Sequence, residues 1–376
     1  MENRPVIILG TGLWGNLLAY RLSQQHPNVE FKLYSTGSLM ESNSWSFREN
    51  ELSKESLKWI KPFISYSWDC HRIVSKGIDR IMKSAYSTIL PGQFELLTRK
   101  SHAAERLGPD VTMDDLLDEA SFIIDTRPDP RQKTKCYRQT FGVVVELFEK
   151  HDLDVPVSMD ASVRQLDVLR HLQYISINNH TLLVKDVRYS KDPAFDVPTR
   201  EEELLREIRK KWRVKEVLHI ETESITIPSG RIRPWNNGKV ISLAGLLNPI
   251  TGEQFTEAVR LVDIMVGTSF RLGELKEVIQ RYRNEKDQSK RISRLLAKLI
   301  YHTPEHAHRL QLLDYLFKLP AATVEKFMDG KLGMFDVGRI MMAKPPLPLL
   351  RALGSAMPDF RFKAPNKSTK LRELTH

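Results

Sequence analysis

Gly10-Thr11-Gly12-Leu13-Trp14-Gly15 follows directly on the apolar run Val6-Ile7-Ile8-Leu9, and leucines at 13, 17, 18 and 22 carry on from it at helical spacing. A chain that leaves a buried strand, turns sharply and enters a helix needs glycine where a Cβ would block the turn. The same turn lets a pyrophosphate approach backbone N–H groups at the helix N-terminus. Residues 5–9 are therefore read as a strand, the leucines as the buried face of a helix, and Glu30 to Ser35 as a second strand. The spacing alone is weak evidence, but its position between strand and helix favours a dinucleotide site over a tight turn without a ligand. The predicted contacts at this end are Gly10, Gly12, Leu13 and Gly15, and the predicted class is α/β.

The fingerprint also asks for an acid at the end of the second strand, to hold the ribose hydroxyls. Tyr34-Ser35-Thr36 stands there instead, with Glu30 too early and Glu41 too late. Ser35 supplies one neutral hydrogen bond, about 1 kcal/mol net against roughly 1.5–3 kcal/mol for a charged acceptor. Weakened dinucleotide affinity is expected. A nicotinamide-dependent oxidoreductase, with Lys32 near a phosphorylated ribose, is the alternative that the missing acid leaves open.

Downstream, 111–119 reads as helix and 121–125 as a buried strand ending in Asp125-Thr126-Arg127-Pro128. Strands are expected at 141–145, 157–159, 172–177 and 182–187, forming a mixed second layer. Thr199 and Glu202 suggest a capping box for a charged helix running to about Trp212. The chain reads as helical from about 255. The expected organisation is a dinucleotide-binding part at 1–140 and 218–275, a β-rich substrate part at 141–217, a helical region at 276–360 and a basic tail at 361–376.

Charge and cysteine content narrow the setting. Fifty-seven Lys and Arg against 47 Asp and Glu give a net charge of +10, which favours anionic surfaces. No zinc-finger spacing or aromatic RNA-binding motif is present, so a membrane surface is expected rather than nucleic acid. No apolar stretch is long enough to cross a bilayer. Two cysteines, Cys70 and Cys136, and an N-terminus without a basic and apolar leader fit a cytoplasmic protein. The segment 290–299, with Ile292, Leu295, Leu296 and Leu299 on one face and basic residues elsewhere, suits either anionic lipid or an ordinary solvated helix.

Several longer signatures recur in a fixed order. Ser44-Trp45-Ser46-Phe47 is followed by Ile124-Asp125-Thr126-Arg127, Cys136-Tyr137-Arg138-Gln139 and Met159-Asp160-Ala161-Ser162-Val163. Gly245-Leu246-Leu247-Asn248-Pro249-Ile250-Thr251-Gly252 and Lys344-Pro345-Pro346 complete the series. In this order they resemble the bacterial lycopene beta-cyclase family, from about Val6 to Leu353.

The resemblance implies an FAD/NAD(P)-binding Rossmann-like fold of the glutathione-reductase type, with a mixed β-sheet substrate layer and a helical C-terminal region. It further implies a flavoprotein at the membrane surface acting on a carotenoid or other isoprenoid. In that family reduced FAD assists a reaction without net redox change: an acid protonates a terminal double bond, the cation closes on a neighbouring alkene, and a proton leaves. It adds Asp125, Gly245, Pro249, Thr251 and Gly252 to the expected FAD contacts beside Ser35, and Trp45 and Phe47 as substrate contacts.

The family's acid lies in a Leu-Ile-Glu-Asp-Thr strand, and this chain reads Leu183-Val184-Lys185-Asp186-Val187. Lys185 and Asp186 thus occupy the catalytic positions. An ammonium is a weaker acid than a carboxylic acid by about 6 pKa units, roughly 8 kcal/mol. Its charge would also oppose a carbocation by about 4 kcal/mol at roughly 4 Å. Asp186 faces the other side of the strand, so little cyclisation is expected. Asp160 with Asp186, and the histidines at 302, 306 and 308, are read as structural or surface groups, and no metal site is expected.

Overall fold

Val6–Leu9 forms β1, buried throughout, and the glycine turn delivers the chain into helix α1 (Leu13–Gln25). The computed structural model describes residues 4–37, 43–129, 134–165, 168–228, 238–248, 251–286 and 306–342. The first half continues with β2 (Phe31–Ser35), β3 (Trp45–Arg48), α2 (Lys54–Ile60), β4 (Tyr66–Trp68), β5 (His71–Ser75), β6 (Ile78–Met82) and β7 (Tyr86–Ile89). Helix α3 (Pro91–Ser101), β8 (Ala104–Arg106), α4 (Met113–Glu119) and β9 (Phe122–Asp125) complete it. Then come β10 (Thr134–Leu147), β11 (Val157–Asp160), β12 (Leu169–Asn178), β13 (Thr181–Ser190), α5 (Val197–Arg209), β14 (Val214–Pro228) and β15 (Val240–Ser242). Helices α6 (Phe255–Val266), α7 (272–286), α8 (His306–Lys318), α9 (Ala321–Met328) and α10 (Met334–Met342) follow.

The first sheet is parallel, in the order β15-β9-β1-β2-β8, with β1 at its centre. A parallel strand covered on both faces must be apolar throughout, and Val6-Ile7-Ile8-Leu9 and Phe122-Ile123-Ile124 meet that demand. Helix α1 packs on this sheet through Leu17, Leu18 and Leu22, and against Val259 and Val262 of α6. A ligand crevice is expected where the carboxyl ends of such strands meet.

The second sheet runs β14-β10-β13-β12-β11-β5-β6, antiparallel except where β11 meets β5. Cross-strand register sets Arg138, Thr140 and Gly142 of β10 beside Lys185, Val187 and Tyr189 of β13. Leu169, His171 and Gln173 of β12, and Glu221, Glu223 and Ile225 of β14, extend the same face. Alternation turns Phe141, Leu172, Val184 and Asp186 to the opposite face. There the apolar residues pack against Leu204, Leu205 and Ile208 of α5. On the other side Leu313, Leu316 and Phe317 of α8 and Phe327 of α9 join Leu169, Val187 and Tyr189 in one core. The small sheet β3-β7-β4 carries Trp45 and Phe47.

Several boundaries differ from the sequence-based expectations. The divisions expected at 140 and 218 fall inside β10 and β14, which pair from Thr134↔Pro228 to Leu147↔Val214. A cut at either point would break a continuous ladder. Strands β5 and β6, expected in the dinucleotide part, join the second sheet because β11 pairs with β5. Helix α5 begins at an Asp196 cap, to which the Thr199 hydroxyl donates at 2.6 Å, and ends at Arg209. The 290–299 segment, His302, Pro249, Lys344-Pro345-Pro346 and the tail lie outside the described residues.

Candidate functional site

The glycine turn is shaped by two approaches that leave no room for side chains. Gly10 has φ +105°, and a Cβ there would lie 2.5 Å from the Thr126 hydroxyl. A Cβ on Gly15 would lie 1.8 Å from the Gly10 carbonyl oxygen, so the helix sits directly on the turn. Thr126 fixes the neighbouring strand end by donating to the Leu9 carbonyl at 2.8 Å. Trp14 Nε1 donates to Gln254 Oε1 at 2.9 Å, tying the helix start to the loop after β15.

From this turn a cleft of about 490 Å3 extends to the second sheet. Gly10, Gly12 and Leu13 line one end, Ser35 the corner beside it, and Trp45, Phe255 and Lys185 part of the far wall. The Ser35 hydroxyl accepts from Gly37 N at 3.2 Å, which caps the turn after β2. Asp125, an expected cofactor contact, is held by Arg127 through two hydrogen bonds of 2.8 Å, and these hold the Arg127 guanidinium above its ordinary pKa. The cleft is lined instead by Thr126, Arg127 and Pro128.

Lys185 is not a lone cation. Its Nζ lies 3.3 Å from Glu221 Oε2 and donates to the Ser44 carbonyl at 2.6 Å. Glu221 also accepts from Ser44 Oγ at 2.7 Å and Ser44 N at 3.1 Å. Gly142 lies between them on β10, and a Cβ there would meet the Cγ atoms of both at 3.4 Å. The pair therefore closes over the missing side chain of the central strand and pins the start of β3 to the sheet.

Asp186 is fully buried on the other face, between Arg170 Nε at 3.0 Å and Arg188 Nε at 3.1 Å. Burial raises its pKa, but the Arg188 and Arg170 guanidinium groups outweigh that and hold it below the usual carboxylate range. Arg188 continues to Glu203 of α5, so this cluster anchors the helix. Strand alternation thus separates the two expected catalytic positions. Asp160 accepts from Ser162 N at 3.0 Å and closes a turn.

A second, small cavity of about 40 Å3 lies deeper, between the sheet and the C-terminal helices. Ser46, Arg138, Gln173 and Glu253 line both this cavity and the cleft, forming the partition between them. Phe47, Tyr189, His171 and Thr251 line only the inner side. Phe47 stacks on Phe255 at 4.8 Å and Trp45 packs on Phe94 at 4.7 Å, so the expected substrate contacts are also core residues. Gly252, with φ +70°, lets the loop press on Arg138, where a Cβ would come within 2.9 Å of Cδ. Gly245 also holds a left-handed φ of +73° but is not among the residues lining either cavity.

Arg138, Gln173, Glu221, Glu223 and Glu253 are site residues that the sequence reading did not single out. Alternation along Glu221-Thr222-Glu223 carried a signal, since it puts both acids on one face. Glu253 directly follows the glycine that closes a quoted motif. Nothing local in the sequence places Arg138 against Glu223, where Nη1 and Oε2 lie 2.7 Å apart.

Residues 5–354 match the family described as lycopene cyclase protein. The chain is 27% identical to a lycopene beta-cyclase of Pseudescherichia vulneris, covering 95% of this chain and 98% of that one. It is 25% identical to a lycopene beta-cyclase of Pantoea ananas, with coverage of 95% and 98%. Its fold is similar to that of a geranylgeranyl bacteriochlorophyll reductase-like protein from Thermoplasma acidophilum, at TM-score 0.54 and 12% identity over 95% of this chain and 97% of that one. A flavin-dependent halogenase from Xanthomonas campestris is similar at TM-score 0.55 and 10% identity, over 94% and 95%. The architecture is that of the glutathione-reductase-type α/β fold with a mixed second sheet and C-terminal helices.

Proposed function

The chain belongs to the lycopene cyclase family, and from that premise we propose that it holds FAD in the cleft and closes rings at the ends of a linear polyene. The observation that carries this reading is one continuous cleft from the glycine turn to the wall of Trp45, Phe255 and Lys185. The turn fits the cofactor: Gly10 and Gly15 stand where a Cβ would collide, which leaves a pyrophosphate close access to the helix N-terminus. Gly10, Gly12 and Leu13 would hold the phosphates and Ser35 the ribose, by one neutral hydrogen bond, so the affinity is expected to be modest. When bound and reduced, the flavin supplies electron density that stabilises positive charge without net redox change.

The chain's own residues serve the same end. Trp45 and Phe255 present aromatic surface, which tolerates a cation where a polar wall would hydrate or quench it. Lys185 does not leave an uncompensated charge in the cleft, because Glu221 neutralises it at 3.3 Å. This weakens the electrostatic objection raised by the sequence, and leaves only the question of which group gives the proton.

Work at a membrane surface is part of the proposal. The net charge of +10 supports it, and among the described residues no helix is long and apolar enough to cross a membrane. Salt-sensitive sedimentation with anionic vesicles checks it. A second reading, a polyene-binding relative that performs no cyclisation, rests on Lys185 at the acid's position. Pigment extracted from lycopene-accumulating cells expressing the protein decides between them: ringed carotenoids support cyclisation, and lycopene alone supports binding.

A further inference from the structure

We infer that Glu253 is the proton donor of the ring closure, an inference that rests on the cyclisation reading above. A proton donor must face the substrate space and must be able to exist as the neutral acid. The carboxylates around the cleft differ on both counts.

Most are committed to cations. Glu221 is paired with Lys185 at 3.3 Å and Glu223 with Arg138 at 2.7 Å. Glu51 is paired with Arg48 at 2.9 Å and also accepts from Thr256. Asp186 is gripped by two arginines on the wrong face of the sheet. Each of these carboxylates has a cation within ion-pair distance. Glu253 differs: among the described residues no cation lies within ion-pair distance of its carboxyl, and the Thr251 hydroxyl reaches it only at 3.4 Å.

Its position is equally distinctive. Glu253 lies in the partition that lines both the cleft and the inner cavity, and it retains some exposure because its open surface faces them. The backbone that carries it is fixed from several sides. Its carbonyl accepts from Asn248 N at 2.9 Å and its N–H is directed at Thr251 Oγ1. Neighbouring Gln254 is held by Trp14, and Phe255 stacks on Phe47. The carboxyl is thus presented on a braced loop beside aromatic surface. The protein packed around it raises its pKa, with Arg138 working against that shift, Glu51 with it and Arg48 against it.

The chemistry balances without a further reactant. The carboxylic O–H bond of Glu253 breaks, and its proton forms a C–H bond with one carbon of the terminal alkene. The π electrons of a neighbouring double bond then form the ring C–C bond. The ring cation loses a proton from an adjacent carbon, the C–H electrons become the ring double bond, and the Glu253 carboxylate takes that proton. The product is an isomer of the substrate, and Glu253 is returned to its acid form.

The test compares wild type, Glu253→Gln and Glu253→Asp, each saturated with FAD under reducing conditions and supplied with lycopene in vesicles. Flavin occupancy is measured by titration and ringed product by chromatography. Glu253→Gln should retain flavin binding and lose turnover by about 10²–10⁴-fold, the scale of general acid catalysis. Glu253→Asp should recover part of it and shift the alkaline limb of kcat/KM against pH. Glu253→Gln turning over within a few fold of wild type would overturn the inference while leaving cyclisation standing. Where Glu253→Gln does not fold, an unshifted alkaline limb in Glu253→Asp overturns it. No ringed product from fully flavin-loaded wild type would overturn the cyclisation reading, and the inference with it.

Discussion

Lys185 shows how far a single position can be read. Its place in the strand motif was legible from its neighbours, but its partner was not, because Glu221 lies on a strand two places away and meets it only across Gly142. Removing one member of such a buried pair leaves the other charged and without its partner, which typically costs about 3–5 kcal/mol. Lys185→Met should therefore lower stability on that scale, and adding Glu221→Gln should recover most of the loss. Urea denaturation of the two single variants and the double variant checks this, and additive losses would show that the pair is not coupled. Lys185→Glu, which the motif comparison suggests as a repair, would instead set two carboxylates against each other beside Ser44. Glu253 was missed for a different reason: its chemistry depends on what does not pair with it, and sequence order carries no record of that.

At the scale of elements, the strand, turn and helix at the N-terminus were the most legible part of the chain. Their contacts are local, and glycine is demanded by backbone approach rather than by distant packing. Gly15→Ala would drive a methyl group into the Gly10 carbonyl, so it should abolish flavin binding and markedly lower the denaturation midpoint. Gly92→Ala, where a methyl meets open space, should leave both nearly unchanged. Equal effects in the two would contradict the cradle geometry. At the end of β2, Ser35→Glu would replace a neutral acceptor with a charged one, a difference of about 0.5–2 kcal/mol that corresponds to roughly 2- to 30-fold tighter FAD binding. Calorimetric titration checks this, and unchanged affinity would show that the Ser35 corner does not hold the ribose. Strand ends were less legible: β10 runs well beyond the expected 141–145 because β14 pairs with it along its length.

For the whole molecule, the α/β class followed from the opening motif, whereas the way the second sheet covers the cleft did not, because β5 and β6 reach it from the first half of the chain. That closure buries His71 and His171. Burial, reinforced by Arg48 in one case and Arg138 in the other, lowers both to a pKa of about 3. The unfolded chain binds protons at these histidines below about pH 6.5, where the folded chain does not. Stability should be complete above that pH and fall by about 1.4 kcal/mol per pH unit for each histidine as pH drops towards 3. Urea midpoints recorded between pH 7 and 4 check this, and His171→Gln should flatten the slope, while an unchanged slope would place the effect elsewhere. The central claim, that one cleft holds a flavin and closes a polyene ring beside it, is tested most directly by an anaerobic assay of the purified wild type with FAD, a reductant and lycopene in anionic vesicles. The account predicts a ringed isomer of unchanged mass that forms only when FAD is present; lycopene recovered unaltered from protein fully occupied by flavin would contradict it.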